Sequence, residues 1–519
     1  MRTARARSVV WSLMLASSAF GQSTPPGSEP RAEPTSTTPN ESERAAPLVE
    51  GMPEFLAAVD RADLRRHAEF LTADARLGRH TGSPGQIETA EYIAEHFRSL
   101  GLMPIGDGKG GKRSFFQEYP LERTRLDEKA TKLSLGSQPI ERGWAMVPGE
   151  KAATAKVSGA MVDCGFGEVS GLPKGFGKKI PVVTLREVGG GPRSAMMAGL
   201  QRNKLRAIQR EMESRGARMV VYVLDATGGV ADEISLRALV PGRPLVKRPS
   251  EPGVMWQPLG EKPALFCAGS TGDAVRDELA RSGTVDLSYK VIEETKFRAV
   301  NVVAMKPGRS KEAVVFSAHM DHVGVRLDGD VYNGADDNAS GTSGLLGLAT
   351  AFSKAGELPR TVIFLSVSGE ELGLWGSEYY SEHPTWPLTS IVADINIDMI
   401  GRNTATSDHK GVEVTPTHQH SAYSTLVRTS KQLAERMGIR FSSADRYYER
   451  SDHYNFARKG VPVVFFTNGE HPDYHKASDE FDKLDFAKIE TIARLAGWTG
   501  HEILGARGRP STLGSQSDW

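Results

Sequence analysis

Between residues 298 and 505 the chain alternates two patterns. Nearly continuous apolar runs occur at "AVVFSAH" (313–319), "TVIFLSV" (361–367), "VADINID" (392–398) and "VPVVFFT" (461–467). Strands covered on both faces read this way. Segments at about 341–355, 374–382, 421–438 and 485–504 repeat their apolar residues every three or four positions, as helices do. The alternation predicts a doubly wound α/β fold: a mixed, mostly parallel sheet flanked by helices. In such sheets ligands bind beyond the carboxyl ends of the strands.

The remaining chain divides by texture. "SPGQIETAEYIAEHFRSLG" predicts a helix with Ser83 as N-cap, Pro84 at the first position, Gln86 completing a capping box and Gly101 past the end. From 126 to 295 short β-like runs ("KVSGAMVDCG", "KIPVVTL", "RMVVYVL", "ALFCAGS", "VDLSYKVI") surround one helix near 193–215, whose face carries Met197, Leu200, Leu205, Ile208 and Met212. This predicts a β-rich domain inserted between an N-terminal part, 51–125, and the main α/β part, 296–506. The first 21 residues have a basic start (Arg2, Arg5, Arg7), an apolar run from Val9 and a small-residue site at Ala19-Phe20-Gly21, the features of a secretory signal. Residues 22–50 are rich in Pro, Ser, Thr and Glu and predict a disordered linker. Residues 507–519 predict a flexible tail.

Composition narrows the functions. At 519 residues the chain suits two or three domains. Lys+Arg and Asp+Glu both count 64, which removes an overall electrostatic case for nucleic acid. No other stretch has the roughly 18 apolar residues of a spanning helix, so no transmembrane segment is expected in the mature chain. The two cysteines, Cys164 and Cys267, can pair or stay separate buried thiols, and they cannot make a four-thiolate zinc site.

Chemistry gathers after the strands. His319, Asp321 and His322 follow the first, then Asp336 and Asp337 in "YNGADDNASGTSG". Glu370 and Glu371 follow the second, Asp398 ends the third, and His471, Asp473, His475 and Asp479 follow the last. Alone, each piece has an ordinary reading as a solvated turn or a cap. Together they place imidazole and carboxylate in five loops at one sheet edge. That donor set suits zinc, or another divalent metal such as cobalt or manganese. An EF-hand register starting at Asp336 fails, because the twelfth position, where a bidentate Glu belongs, is Gly347. "SAHMDH" is similar to the His-x-His-x-Asp-His box of metallo-β-lactamase-like hydrolases, but Ser317 replaces the first His.

In this order, "SAHMDHVG", "NGADDNASG", "SGEELGLWGS", "NIDMIGR" and "HPDYHKASD" resemble the M28 family of co-catalytic zinc metallopeptidases. The resemblance covers roughly 60–105 and 298–505. By position and by its "KIPVVTL … ESRGARMVVYVL" pattern, 126–295 resembles a protease-associated (PA) domain. The resemblance implies two Zn2+ per chain. His319 would bind one and His475 the other, Asp337 would bridge them, and Glu371 and Asp398 would each complete one shell. It implies Glu370 as general base, Tyr474 as an oxyanion stabiliser and Asp321 as the residue that orients His319. It also implies a cis peptide at the Asp337 step, with Asn338 helping to fix the backbone. Ala477 and Glu480 depart from the family's usual Pro and Thr after the last His. They bear on loop geometry rather than on ligands. His322 is expected to line the cleft, Asp452 in "RSDHYNF" to support the site, His471 and Asp473 to be loop residues, and His409, His418 and His420 to be solvated.

These roles are consistent with charge. Three ligand carboxylates leave two divalent cations with surplus positive charge, which a bridging hydroxide fits, and zinc lowers the pKa of bound water to about 7. Glu370 needs reach to that water, not to a metal, and can pass its proton to the leaving amine. Adjacent Glu370 and Glu371 can take different jobs because they lie in a loop. The expectation is a secreted exopeptidase, periplasmic or extracellular, acting on peptide or protein substrates from the amino end. A carboxypeptidase or dipeptidase on the same fold, or a non-catalytic binding ectodomain, are the alternatives.

Overall fold

Helix α1 (Arg61–Thr72) starts where the Asp60 side chain accepts from the amides of Ala62 and Asp63. In α2 (Pro84–Ser99) the Ser83 hydroxyl accepts from Gln86 N at 3.3 Å, and Gln86 Oε1 accepts from Gly82 N at 3.4 Å. Half of the cap predicted from "SPGQ" forms: Gln86 reaches Gly82 rather than Ser83, whose amide donates to His80 O, and Gly101 lies beyond the helix at φ 70°. The computed structural model describes residues 47–150, 153–185, 195–224, 238–250 and 258–517. The signal expected at 1–21 lies outside them, as do most of the linker expected at 22–50 and the side chains of Met197 and Leu200.

Among the described residues, eight strands of four or more residues build the main sheet: β1 (Phe116–Leu126), β2 (Thr284–Lys306), β3 (Ser310–His319), β4 (Arg360–Val367), β5 (Ile391–Ile397), β6 (Gly411–Thr415), β7 (Arg440–Ser443) and β8 (Val463–Thr467). Their order is β1-β2-β4-β3-β5-β8-β6-β7. The central β4, β3, β5 and β8 are parallel, β6 runs against β8, and β2 runs against β4. These four parallel strands are the four apolar runs. From β3 the chain goes to β4 on one side and later to β5 on the other, so the strand order reverses at β3. Doubly wound sheets open their ligand crevice at such a point.

Helices α3 (Gly341–Lys354), α4 (Thr425–Arg436) and α5 (Phe486–Gly505), with α1 and α2, cover one face. Phe316, Phe352 and Phe364 meet there with ring centres 5.3–6.2 Å apart. The approach is close enough that a Cβ on Gly500 of α5 would fall 2.3 Å from the Phe316 ring. No helix among the described residues is long and apolar enough to cross a membrane.

Two further apolar cores fill the inserted segment, one of them shared with Val325, Leu327 and Val331. Val220–Leu224 lies parallel to both Ala264–Cys267 and Ile180–Leu185. The first half of β2 pairs with Thr154–Asp163 and Lys132–Leu135, while its second half joins the catalytic sheet. One strand therefore passes through the expected boundary at 295/296. Cys164 and Cys267 are both buried and unpaired. Leu48 and Val49 pack on the main core. In the segment read as a flexible tail, Arg509 Nη2 donates to Ile391 O, Thr425 N to Ser511 O and Leu513 N to Tyr423 O.

Candidate metal centre

His319 is the last residue of β3, and Asp398 follows β5 directly. These strands are neighbours, so their ends bring His319 Nε2 to 3.1 Å from Asp398 Oδ1. His319 Nδ1 lies 3.2 Å from the Asp321 carbonyl, which leaves Nε2 facing the carboxylates. The resemblance gave Asp321 the task of orienting His319. Its backbone oxygen does this, since its carboxylate stands 3.8 Å away. That carboxylate accepts from Thr81 Oγ1 at 2.7 Å and from Glu370 N at 3.3 Å, and so secures the Glu370 loop.

Asp337 and Asp336 differ in surroundings. Asp337 Oδ1 is 3.4 Å from His319 Nε2, and its Oδ2 is 3.0 Å from His475 Nε2. Asp336 points away: its oxygens accept from Gly401 N at 2.6 Å and Asn468 Nδ2 at 2.9 Å, with His471 Nε2 at 3.2 Å. The Asp337–Asn338 peptide is cis. The Asn338 side chain fixes this backbone, accepting from Gly341 N and Met399 N and donating to Ile397 O. Gly341 allows the close approach, because a Cβ there would fall 2.4 Å from Ile397 O.

A second group forms around Glu371. Its Oε2 is 3.0 Å from His475 Nε2, and its Oε1 is 2.7 Å from His322 Nδ1. His322, Asp337, Glu371 and His475 could thus hold one ion, and His319, Asp337 and Asp398 another, with Asp337 common to both. His475 (φ 52°) and Met399 (φ 57°) take left-handed backbone, a sparsely populated choice for such residues that clusters at functional sites.

The electrostatics are those of a cation site. Burial alone would lower the His319 imidazole, yet the Asp398 and Glu370 carboxylates hold it well above its usual value. Burial also opposes the charge on His475, which Glu371 and Asp337 nonetheless push up to about 11. Asp337 stays well below the carboxylate range despite its burial, because His322, His319 and His475 face it. Without metal, protonated imidazoles are the compensating charge. Imidazole and carboxylate with no thiolate is a donor set that fits zinc.

Glu370 is pushed well above the carboxylate range, chiefly by burial and then by Glu371 and Asp398. With Asp337, Asp398 and Tyr474 it lines a small pocket whose far wall includes Met399, Tyr447 and Phe465. Tyr474 stacks on His475 with ring centres 3.9 Å apart, and Arg450 Nη2 donates to its hydroxyl at 3.3 Å. Asp452 is fully buried, which raises its carboxyl to about 7. Its neighbour Ser451 makes the visible contact, donating to Asp398 Oδ2 at 2.8 Å while accepting from Asn396 Nδ2 at 2.7 Å.

Further residues brace the cluster. Buried Arg79 donates to the carbonyls of Leu71, Met320, Asn333 and Gly334, tying the N-terminal part to both metal loops. Asp479 Oδ2 accepts from the amides of Asp336 and Asp337, and Arg402 braces its other oxygen at 3.1 Å. His471 and Asp473, read as plain loop residues, are part of this frame: His471 is buried against Asp336, and Asp473 pairs with Arg402. His418 and His420, read as solvated, are half-buried, and His420 packs on Tyr448.

Residues 301–498 match the model of peptidase family M28. A probable leucine aminopeptidase of Arthroderma otae is 28% identical over 219 residues, 40% of this chain and 59% of that protein. Aminopeptidase YwaD of Bacillus subtilis is 26% identical over 241 residues, 44% of this chain and 50% of that protein. The chain thus spans between half and three-fifths of the length of these two relatives. In fold it is similar to structures of BSAP, a zinc aminopeptidase from Bacillus subtilis. One matches with TM-score 0.50 and 19% identity, covering 87% of this chain and 96% of that one. Another gives TM-score 0.51, 20% identity and coverages of 88% and 98%.

Proposed function

We propose, from the membership of residues 301–498 in peptidase family M28, that the chain is a dizinc aminopeptidase. The observation that carries this reading is Asp337, one carboxylate with an oxygen facing each of two imidazoles, His319 and His475. His319 and Asp398 would hold one zinc, His475 and Glu371 the other, and Asp337 both. Cobalt or manganese can take the same donors. When bound, such ions polarise a carbonyl and bring the pKa of water near 7.

The chain's own groups supply the rest. Without metal, burial and then Glu371 and Asp398 favour the protonated form of Glu370, and two cations bound beside it would return it to the carboxylate. It can take a proton from attacking water and give it to the leaving amine. The Tyr474 hydroxyl, oriented by Arg450, can donate to the oxygen that gains charge at the scissile carbonyl. The pocket walled by Met399, Tyr447 and Phe465 would receive an apolar side chain of the residue being released. Curated relatives named as aminopeptidases support attack at the amino end. Export follows from the signal-like first 21 residues, and a PA-like role for 126–295 from its position and pattern.

The test is Glu370→Gln on the zinc-loaded chain with leucine p-nitroanilide. Turnover is expected to fall by about 10²–10⁴-fold with zinc content unchanged. Near-wild-type turnover would remove Glu370 from the role of base.

A further inference from the structure

Arg243 closes a Val240-Pro241-Gly242-Arg243 turn. Proline sets the first corner, Gly242 takes φ 81°, and Arg243 N donates to Val240 O at 3.1 Å. The turn presses the Arg243 side chain from the inserted segment into the catalytic part. A Cβ on Gly324 would lie 2.9 Å from Arg243 Cδ and 2.9 Å from His80 Cβ. Arg243 is only 6% exposed, and its Nε and Nη2 are buried with no hydrogen-bond partner among the described residues. Arg79, equally buried, has its guanidinium satisfied by four carbonyls. Tyr332 is the titratable group that faces this guanidinium, and two buried guanidinium nitrogens without hydrogen bonds call for a reason.

Arg243 lines a cavity of about 450 Å³, with Gly82 and Pro84 at the start of α2 and Arg123 and Arg125 of β1. Glu294 already engages Arg123 and Arg125. The carboxylates of Glu88, Glu91 and Glu128 also reach the cavity, but all three residues are exposed and Glu88 pairs with Arg76. The acidic groups therefore stand at the wet mouth, and the unpaired cation at the dry wall. The α2 N-terminus adds partial positive charge on the same side.

We propose that Arg243 is an anchor for a peptide's C-terminal carboxylate, making the chain selective for short peptides with a free carboxyl end. This rests on the peptidase reading above. The cavity wall continues along the chain into groups that brace the metal cluster. Thr81, next to Gly82, donates to Asp321 and accepts from Gly369 N beside Glu370. Gly324, against which Arg243 packs, lies two residues beyond His322, the partner of Glu371. A peptide with its amino end at Asp337 and Glu371 would lay its other end along this wall. Burial, then the Arg243 charge, lowers the His80 imidazole to about 3, so His80 stays neutral and does not compete for an anion. A planar guanidinium also matches a carboxylate with two parallel hydrogen bonds, which lysine cannot.

N-acetylglycine and N-acetylglycinamide differ in the carboxylate and nothing else that matters at this site. Calorimetric titration of the full chain should show saturable binding of the acid, none of the amide, and at least tenfold weaker binding of the acid to Arg243→Gln. No binding of the acid, or unchanged binding in the variant, would overturn the site. Binding of inorganic phosphate without N-acetylglycine would make it a free-anion site and overturn the anchor. Arg243→Met should melt no lower than wild type, because it removes an unpaired buried charge. A drop of several degrees would assign Arg243 to packing and overturn the proposal. On the zinc-loaded chain, KM for a free tripeptide should be at least tenfold below that for its C-terminal amide, and Arg243→Gln should erase the difference. Equal KM values in wild type would overturn the anchor. No hydrolysis of leucine p-nitroanilide by wild type would instead count against the peptidase reading, and the titration would still decide the carboxylate site.

Discussion

Asp336 and Asp337 show what a residue's letter does and does not say. Both are aspartates in one loop, and the sequence marks the pair as a candidate without distinguishing its members. The family resemblance singled out Asp337. The physical reason is that Gly401 N and Asn468 Nδ2 occupy Asp336, whereas Asp337 faces imidazoles. The candidate ligands were legible because imidazole and carboxylate after strand ends are conspicuous. Arg79, Thr81 and Ser451 were not, because their partners are carbonyls, amides and carboxylates that any loop contains. Ser451 makes the point testable. Ser451→Ala would leave Asp398 Oδ2 without its donor. Zinc affinity should fall by about 10- to 100-fold in competition with a chelating dye, while the circular dichroism spectrum stays that of wild type. Unchanged affinity would show that Asp398 needs no such support.

At the scale of elements, the four apolar runs became the four central parallel strands because each is buried on both faces, so nothing competes with the apolar signal. The strands β6 and β7 escaped notice because they are short and carry polar residues: Arg440 and Ser442 lie on the edge strand β7, and buried Glu413 interrupts the apolar run of β6. Helices also bury residues that patterns treat as polar. His67 on α1 and His453, first residue of the short helix His453–Arg458, are both lowered to about 3, chiefly by burial. In the folded chain they stay neutral, while in the unfolded chain they take a proton below about 6.5. Their contribution to stability is therefore complete above pH 6.5 and is lost as pH falls from 6.5 towards 3. His453→Phe, which keeps a ring against Phe465, should flatten this decline by up to about 1.4 kcal/mol per pH unit. Urea unfolding of both proteins between pH 4 and 7 measures it. Parallel declines would mean that His453 is not held neutral.

At the scale of the whole molecule, the inserted segment and the catalytic part are joined more closely than a break in texture suggests. The strand β2 belongs to both, and the hairpin after His322 sends Val325, Leu327 and Val331 into the inserted segment's core. Sequence patterns report local period and miss such long-range packing. The same folding across distance builds the centre. His319, Asp337, Glu371, Asp398 and His475 come from five separate loops, and two groups of possible ligands meet at one carboxylate. The intact chain is thus the unit in which the central claim is tested. Zinc content after saturation and exhaustive dialysis, by elemental analysis of the full chain, is the direct measurement. Two zinc ions per wild-type chain are expected, two in Asp336→Asn, and one or none in Asp337→Asn. A single zinc in wild type, or equal loss in the two variants, would contradict a pair of metals bridged by Asp337.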